Sequence, residues 1–348
     1  MEKQIISTLL RWYPTNKRDL PWRFIEKNNL PNPYYVFVSE YMLQQTTVAT
    51  VKTRFAKFIK KWPTIKDLSN TTEPKILKFW SGLGYYSRAR NLLKAAKIIE
   101  KNFNSKIPDQ YEDLISLPGI GDYTAKAILG IGYNHSVMPL DANIKRIFSR
   151  LYAFDKPIIK IIKQLSTQAD LFLSKQNSSN LIQSFMDYGS LICTPRNPNC
   201  SICKIKKNCL SYENNIQNTI PIKLKKQKLK PKKYTRAYVL INEKEEILVR
   251  TRSASGMLAS MLEVPNDAWV ERKNLLKKDI LIKKINQKFQ RKETLLYSFS
   301  HFDLNTDIFY LKVMRKNFPQ QKWLNISKFS DSRLPTVMKK IVEKSLID

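Results

Sequence analysis

The chain has 348 residues, 43% of them hydrophobic, and carries 61 Lys and Arg against 29 Asp and Glu, a formal net charge of +32. That length and apolar content suit two domains with separate cores, and no run of about 18 apolar residues is present to cross a bilayer as a helix. The charge points to a polyanion, nucleic acid before a membrane surface; an AT-rich codon bias would enrich Lys, Asn and Ile but would not thin out the acids.

The start, Met1-Glu-Lys-Gln-Ile-Ile-Ser, reads as an amphipathic helix rather than a signal peptide. With reduced cysteines it implies a bacterial cytoplasm, near the nucleoid. Residues 1 to about 212 read as mostly helical. Apolar residues recur at helical spacing in Ile5–Trp12, Val48–Trp62, Pro74–Trp80, Asn91–Phe103, Tyr123–Ile131 and Ala142–Leu151. Pro63, Pro74, Pro108 and Pro118 punctuate them. No Gly-rich nucleotide loop is present.

Four segments stand out in this region. Glu40 sits among apolar residues in Val36-Phe-Val-Ser-Glu-Tyr-Met-Leu-Gln-Gln-Thr. Such surroundings raise a carboxyl pKa and suit a general acid; a capping turn or core salt bridge is the plainer reading. Trp80-Ser-Gly-Leu-Gly-Tyr-Tyr-Ser-Arg-Ala-Arg offers aromatics and arginines around a Gly turn, fit to stack on bases or to be an ordinary aromatic loop. Leu117-Pro-Gly-Ile-Gly-Asp-Tyr-Thr-Ala opens a helix after a Gly turn, the pattern of a helix–hairpin–helix. There Gly119 and Gly121 let backbone approach phosphate; a helix-capping turn is the alternative. Asp141, in Met138-Pro-Leu-Asp-Ala-Asn-Ile-Lys-Arg, reads by itself as an N-cap.

The four cysteines of the chain stand as Cys193-x6-Cys200-x2-Cys203-x5-Cys209. Two disulfides suit a small secreted scaffold better than this chain, and a zinc site usually shows two CxxC knuckles. Thiolate ligation of an iron–sulfur cluster from one loop fits best. Then composition shifts. From Lys223 to Arg236, eight of fourteen residues are basic and none is acidic, which marks a linker. Beyond it short strands are expected at Thr235–Ile241, Ile247–Arg252, Leu295–Ser300 and Asp307–Lys312, with helices near Glu271–Phe289 and Leu334–Lys344. This is an α+β domain.

Taken together and in order, these segments resemble the helix–hairpin–helix, iron–sulfur DNA glycosylases, and within them the MutY family of adenine DNA glycosylases. The likeness is strong over residues 1–212 and weaker over 235–345. It implies a mainly α catalytic region over 1–212, with a six-helix part at about 30–140 and a cluster part formed by 1–29 with 141–212. A basic linker at 213–234 and a Nudix-like α+β domain at 235–348 follow. It implies a monomeric, monofunctional enzyme that excises adenine opposite 8-oxoguanine or guanine in double-stranded DNA, with a [4Fe-4S] cluster on Cys193, Cys200, Cys203 and Cys209.

The resemblance also implies roles for residues. Arg18, Trp22 and Arg23, in Arg18-Asp-Leu-Pro-Trp-Arg23, help form the adenine pocket, with Leu43 lining it and Gln183 bordering the base. Glu40 and Asp141 match the catalytic carboxylates, and Asn143 supports Asp141. Tyr123 stands where bifunctional relatives carry a Schiff-base lysine, so a lyase step lacks an evident nucleophile; Lys126 reads as solvated or phosphate-facing. Gln45 and Tyr85 match residues that wedge into the duplex. Phe299, Ser300 and His301 match a turn that reads 8-oxoguanine.

There are departures. About five extra residues lie in Phe24–Pro33, Asp122 takes a hairpin site that is often basic, and Ala142 replaces a Gly. Ser255–Pro265 is a degraded family segment with Leu262 where Trp is usual. The acidic box of Nudix hydrolases is missing, so no magnesium site is expected. The competing readings are a glycosylase/lyase for oxidised pyrimidines, a non-catalytic damage-binding module, and a nucleotide hydrolase fused to a binding domain. Tyr123, the paired carboxylates and the missing box argue against them in turn.

Overall fold

The structure, a computed structural model, describes residues 1–25, 29–222, 230–253, 256–318, 321–328 and 334–347. The most basic part of the expected linker (223–229), three residues of the Phe24–Pro33 loop (26–28) and Ser255 lie outside the described residues. The chain forms two compact units, Met1–Ile76 with Tyr85–Lys225, and Leu77–Gly84 with Lys226–Asp348.

The helices run in chain order α1 (Glu2–Asn16), α2 (Pro33–Leu43), α3 (Val48–Lys61), α4 (Ile65–Ser69), α5 (Glu73–Phe79), α6 (Ser87–Asn102), α7 (Tyr111–Ser116), α8 (Asp122–Ala127), α9 (Ala142–Leu151), α10 (Ile162–Asp170), α11 (Ser178–Leu191) and α12 (Leu210–Glu213). Several follow their apolar period. In α1 the stripe Ile5, Leu9, Tyr13 is buried, and in α3 it is Val51, Phe55 and Phe58. Two central helices have no such stripe. Helix α2 buries Tyr34 and every residue from Val36 to Met42, and α11 buries almost all of Ser178–Gly189. A helix covered all round shows no amphipathic period, which is why neither stands out in the sequence.

These two helices organise the site. Helix α11 packs against α1, α9 and the π-helical turn Ile128–Gly132 that continues α8; α2 packs against α3, α6, α8 and the same turn. Between α7 and α8 the hairpin turns at Gly119, whose φ of +86° suits glycine. A Cβ there would come within 2.9 Å of Asn91 Cβ and 3.0 Å of the Tyr41 ring. The Tyr41 hydroxyl donates to Pro118 O and Gln44 Nε2 to Gly119 O, so the hairpin is fastened to the end of α2.

The second unit holds a mixed sheet of β1 (Lys232–Asn242), β2 (Glu246–Thr251), β3 (Leu262–Glu263), β4 (Gln290–Ser298), β5 (Asp303–Val313) and β6 (Lys322–Asn325). Its order is β3-β2-β1-β5-β4, with β6 also on β2. Strands β1 and β5 are parallel from Lys232–Asp303 to Asn242–Val313; the other pairs are antiparallel. Alternation along β1 serves two cores. Ala237, Val239 and Ile241 join Ile308 and helix α14 (Thr336–Ser345) on one face; Tyr238 and Leu240 join Leu248, Ile282 and Val313 on the other.

Three features differ from expectation. Strand β1 begins at Lys232, inside the stretch read as linker. The helix expected over Glu271–Phe289 is a 3-10 turn at Lys273–Leu275 and one α turn, α13 (Ile280–Lys283). Only Ile282 is buried in that stretch, so packing offsets little of the nucleation cost, and its lysines repel one another. Strands β3 and β6 are too short to leave a period. Ile308→Ala, at a fully buried position between β1 and α14, is expected to destabilise the sheet unit by about 2–5 kcal/mol, measured by urea unfolding.

Candidate active site

Glu40 is carried in the C-terminal half of α2 and is almost wholly buried. Burial pushes its pKa up to about 7, with the nearby charge of Asp141 acting the same way and a hydrogen bond with Tyr123, from α8, pulling back. The Tyr123 phenol is held far above its ordinary pKa by burial and by the two carboxylates, so it stays protonated. Asp141 does cap a helix. Its Oδ1 accepts from Ile144 N at 2.6 Å and its Oδ2 from Asn143 Nδ2 at 2.8 Å, at the start of α9. The N-cap reading and the role beside Glu40 are therefore compatible. Burial raises the Asp141 pKa, and those two donors with Arg146 oppose the rise.

A second layer holds Asn143. Arg146 Nη2 donates to Asn143 Oδ1 at 2.8 Å and to Gly189 O at 2.6 Å, and its Nε donates to Cys193 O at 2.8 Å. A Cβ on Gly189 would lie 2.6 Å from Asn143 Cβ, so only glycine lets α9 and α11 approach this closely. The backbone of the first cysteine is thereby linked, through Arg146 and Asn143, to Asp141.

Glu40, Tyr123, Asp141 and Asn143 line one open cleft of about 650 Å³, together with Arg18, Trp22, Arg23, Leu43 and Gln183. Arg18 and Arg23 do not reach freely into it. Both grip the fully buried Asp187, Arg18 Nε at 2.6 Å from Oδ1, and Arg23 Nη1 and Nη2 at 2.6 and 2.7 Å from Oδ2 and Oδ1. Burial alone would raise the Asp187 pKa, but the guanidinium of Arg23, the Arg18 amide and the Arg18 charge hold it below the ordinary carboxylate range. The two arginines thus build the cleft wall through Asp187. That residue was missed in the sequence because an acid inside an otherwise neutral helical run carries no signal of its partner. Gln183 Nε2 donates to Ser179 O and Oγ, and its Oε1 is buried without a partner.

Lys126 pairs with Asp122 at 2.9 Å, one turn away on α8. Lys145, one turn after Asp141, lines the cleft. It was missed because it looks like any solvated lysine of an amphipathic helix.

Near the cleft, Gln45 and Tyr85 are exposed at φ of +56° and +46°. A left-handed backbone costs a non-glycine residue about 1–3 kcal/mol and persists where surrounding structure imposes it. Phe299, Ser300 and His301 are not in this cleft; they form the β4–β5 turn of the sheet unit. Phe299 N donates to Phe302 O at 2.9 Å, the Phe299 ring lies 4.8–5.6 Å from those of Tyr297, Phe302 and Trp269, and the Ser300 hydroxyl is 3.0 Å from His301 Nδ1. Ser300 and His301 are exposed.

The four cysteines of the loop after α11 line a second, small cavity of about 30 Å³, with Arg150 and Tyr188 in its wall. Arg150 Nη1 donates to Cys193 Sγ at 3.2 Å and Tyr188 Oη to Cys203 Sγ at 3.3 Å. Burial, and then the other cysteines, push the thiols of Cys200, Cys203 and Cys209 up, the last to about 11 with a backbone hydrogen bond opposing.

Residues 38–168 match the model of the HhH-GPD superfamily base excision DNA repair proteins, and residues 236–344 match the NUDIX domain. An adenine DNA glycosylase of Buchnera aphidicola subsp. Baizongia pistaciae is 36% identical over 97% of this chain and 95% of its own length. The adenine DNA glycosylase of Homo sapiens is 28% identical over 96% of this chain and 72% of its own. Among solved structures, a thermostable thymine-DNA glycosylase superposes with a TM-score of 0.55 at 27% identity, covering 61% of this chain and 97% of the other.

Asp187→Asn is expected to leave Arg18 and Arg23 partly buried without a counter-charge. The loss should be about 3–5 kcal/mol of stability, read as a lower midpoint of thermal unfolding.

Proposed function

Because the chain belongs to the adenine DNA glycosylase family, we propose that it flips out adenine standing opposite 8-oxoguanine or guanine in duplex DNA and hydrolyses its N-glycosidic bond. An abasic site with an intact backbone is left for base excision repair. The observation that carries this reading is Glu40, a carboxyl whose pKa lies near 7 at the floor of a cleft and faces a second carboxylate. An acid of that pKa is matched to proton donation at neutral pH.

The target must leave the stack to reach Glu40. Tyr85 and Gln45 fill the gap; Trp22, Leu43 and Gln183 border the extruded base, and Arg18 and Arg23 brace that wall. The partnerless Oε1 of Gln183 is an acceptor for an exocyclic amine. Glu40 donates its proton to adenine N7, so the C1′–N9 electron pair departs with the base. Oxocarbenium character develops at C1′. Asp141, held by Ile144 N and Asn143, stabilises that cation or traps it briefly. Water then adds to C1′ and releases a proton. Tyr123, hydrogen-bonded to Glu40, orients the acid. Gly119 and Gly121 bring hairpin backbone to the phosphates. Phe299, Ser300 and His301 would meet the oxidised guanine, the phenyl ring as a shelf and the hydroxyl and imidazole as hydrogen-bonding groups.

The cysteine loop supports a [4Fe-4S] cluster. Four thiols surround one cavity, and two of them already receive hydrogen bonds at sulfur. When bound, the cluster supplies a rigid anchor for the basic loop carrying Arg196, Lys204, Lys206 and Lys207.

The pH dependence follows from the sign of the shift. Glu40 acts protonated, so the single-turnover rate should fall as pH rises through about 7. Asp141 acts ionised, and its raised pKa brings the acid-side fall to a higher pH than an ordinary Asp would. A bell-shaped profile is expected, and an alkaline limb absent up to the range of an ordinary lysine would contradict the role of Glu40. Glu40→Gln should bind mispaired duplex and release no adenine.

The deciding assay is single-turnover cleavage of labelled duplexes with adenine opposite 8-oxoguanine, guanine or thymine, with and without alkali. Breaks only after alkali, fastest opposite 8-oxoguanine, are expected. Breaks without alkali would point to an amine in the cleft, with Lys145 the first to substitute.

A further inference from the structure

The end of α2 and the start of α6 meet on one buried cation. Arg88 is 5% exposed. Its Nη1 donates to Tyr41 O at 3.1 Å, to Met42 O at 2.7 Å and to Gln44 O, and its Nη2 donates to Thr46 Oγ1 at 2.9 Å. The guanidinium carbon lies 5.6 Å from the centre of the Tyr85 ring, and Arg88 N donates to Tyr85 O at 2.9 Å.

Two consequences follow from this geometry. The carbonyls of Tyr41 and Met42 belong to the last turn of α2, where the helix itself offers no donors, and a cation there also meets the favourable end of the helix dipole. One nitrogen, Nη1, meets both, and the fork's second nitrogen reaches on to Thr46, a span that a compact ammonium lacks. Gln45 lies between two residues, Gln44 and Thr46, that the same guanidinium grips. Its φ of +56° is thus imposed from both sides, and Tyr85, at φ of +46°, meets the same guanidinium through its ring. Burial lowers the Arg88 pKa to about 10, so the clamp is charged at neutral pH.

We infer that Arg88 is the positioning residue of the base-flipping wedge, its buried guanidinium presetting Gln45 and Tyr85 together for entry into the duplex. The inference rests on the adenine glycosylase reading. It separates two steps that a rate alone merges: Arg88 governs opening of the duplex, and Glu40 governs bond cleavage.

The test uses full-length protein and a duplex carrying 2-aminopurine next to the target adenine, whose fluorescence rises on unstacking. In a Glu40→Gln background, where no bond breaks, Arg88→Lys should abolish most of the rise on binding. With Glu40 present, Arg88→Lys should slow single-turnover release between about ten- and a hundredfold, the scale of a small misplacement, and leave the alkaline pH midpoint unmoved. In a chain already carrying Gln45→Ala and Tyr85→Leu, Arg88→Lys should add no further loss. A retained fluorescence rise, a moved midpoint, or losses that multiply in the wedge-less chain would each overturn the inference. Thr46→Val, which removes one arm of the clamp and keeps the cation, should give a partial loss of the rise; an unchanged rise there counts against it even if Arg88→Lys does not fold. Failure of the underlying reading looks different, because wild-type protein would then release no adenine from any duplex.

Discussion

Burying a carboxylate among helices is costly unless something answers its charge, and the helical unit is arranged around three different answers. Asp187, from α11, is ionised and gripped by two arginines. Asp141 is capped by an amide of its own helix and by Asn143. Among the described residues no cation answers Glu40; a tyrosine partner and a neighbouring acid remain, so it keeps a proton near neutrality. The first answer is architectural, the second holds a carboxylate by amide donors, and the third leaves a carboxyl whose pKa lies near 7. One physical cost handled three ways separates the roles of chemically similar groups.

The same unit divides its two kinds of cation. Lysines crowd the sequence, yet among the described residues none is buried, whereas Arg88, Arg146 and Arg150 are. The guanidinium groups of Arg146 and Arg150 gather carbonyl oxygens from two or more segments, and that of Arg88 gathers those of Tyr41, Met42 and Gln44 while lying against the Tyr85 ring. Arg88 joins the end of α2 to Tyr85; Arg146 joins α9 to α11 and to Cys193; Arg150 joins Cys193 and Thr194 to Ile220. A flat fork of donors with weak hydration suits that task, and a compact, strongly hydrated ammonium suits the surface facing phosphate. The large positive charge therefore serves two ends, binding outside and bracing inside.

In the sheet unit, buried acids are likewise committed. Glu263, in the degraded segment, pairs with Arg250 and Arg252; Asp267 pairs with Arg236. These carboxylates are engaged in holding β1, β2 and β3 together. The β4–β5 turn of this unit is exposed at Ser300 and His301, next in the chain to Phe299 and its cluster of four aromatic rings.

The sequence alone determined the division into a helical and a strand-rich region, the cysteine loop, the Gly hairpin, and the two carboxylates worth watching, because each is written locally as a spacing, a turn residue or a charge among apolar neighbours. Helices α2 and α11 escaped the periodicity, since a helix buried on all sides has no polar face to mark its turn, and the lysine-rich Glu271–Phe289 segment looked helical until packing declined to support it. What only the tertiary structure decided is partnership: that Asp187 takes up both Arg18 and Arg23 across more than 160 residues, that Gly189 yields its Cβ space to Asn143, that Lys145 rather than Lys126 shares the cleft, and that Arg88 unites Gln45 with Tyr85. Such pairings join groups far apart in the chain, and their energy arises from desolvation and distance, which no local pattern of residues records.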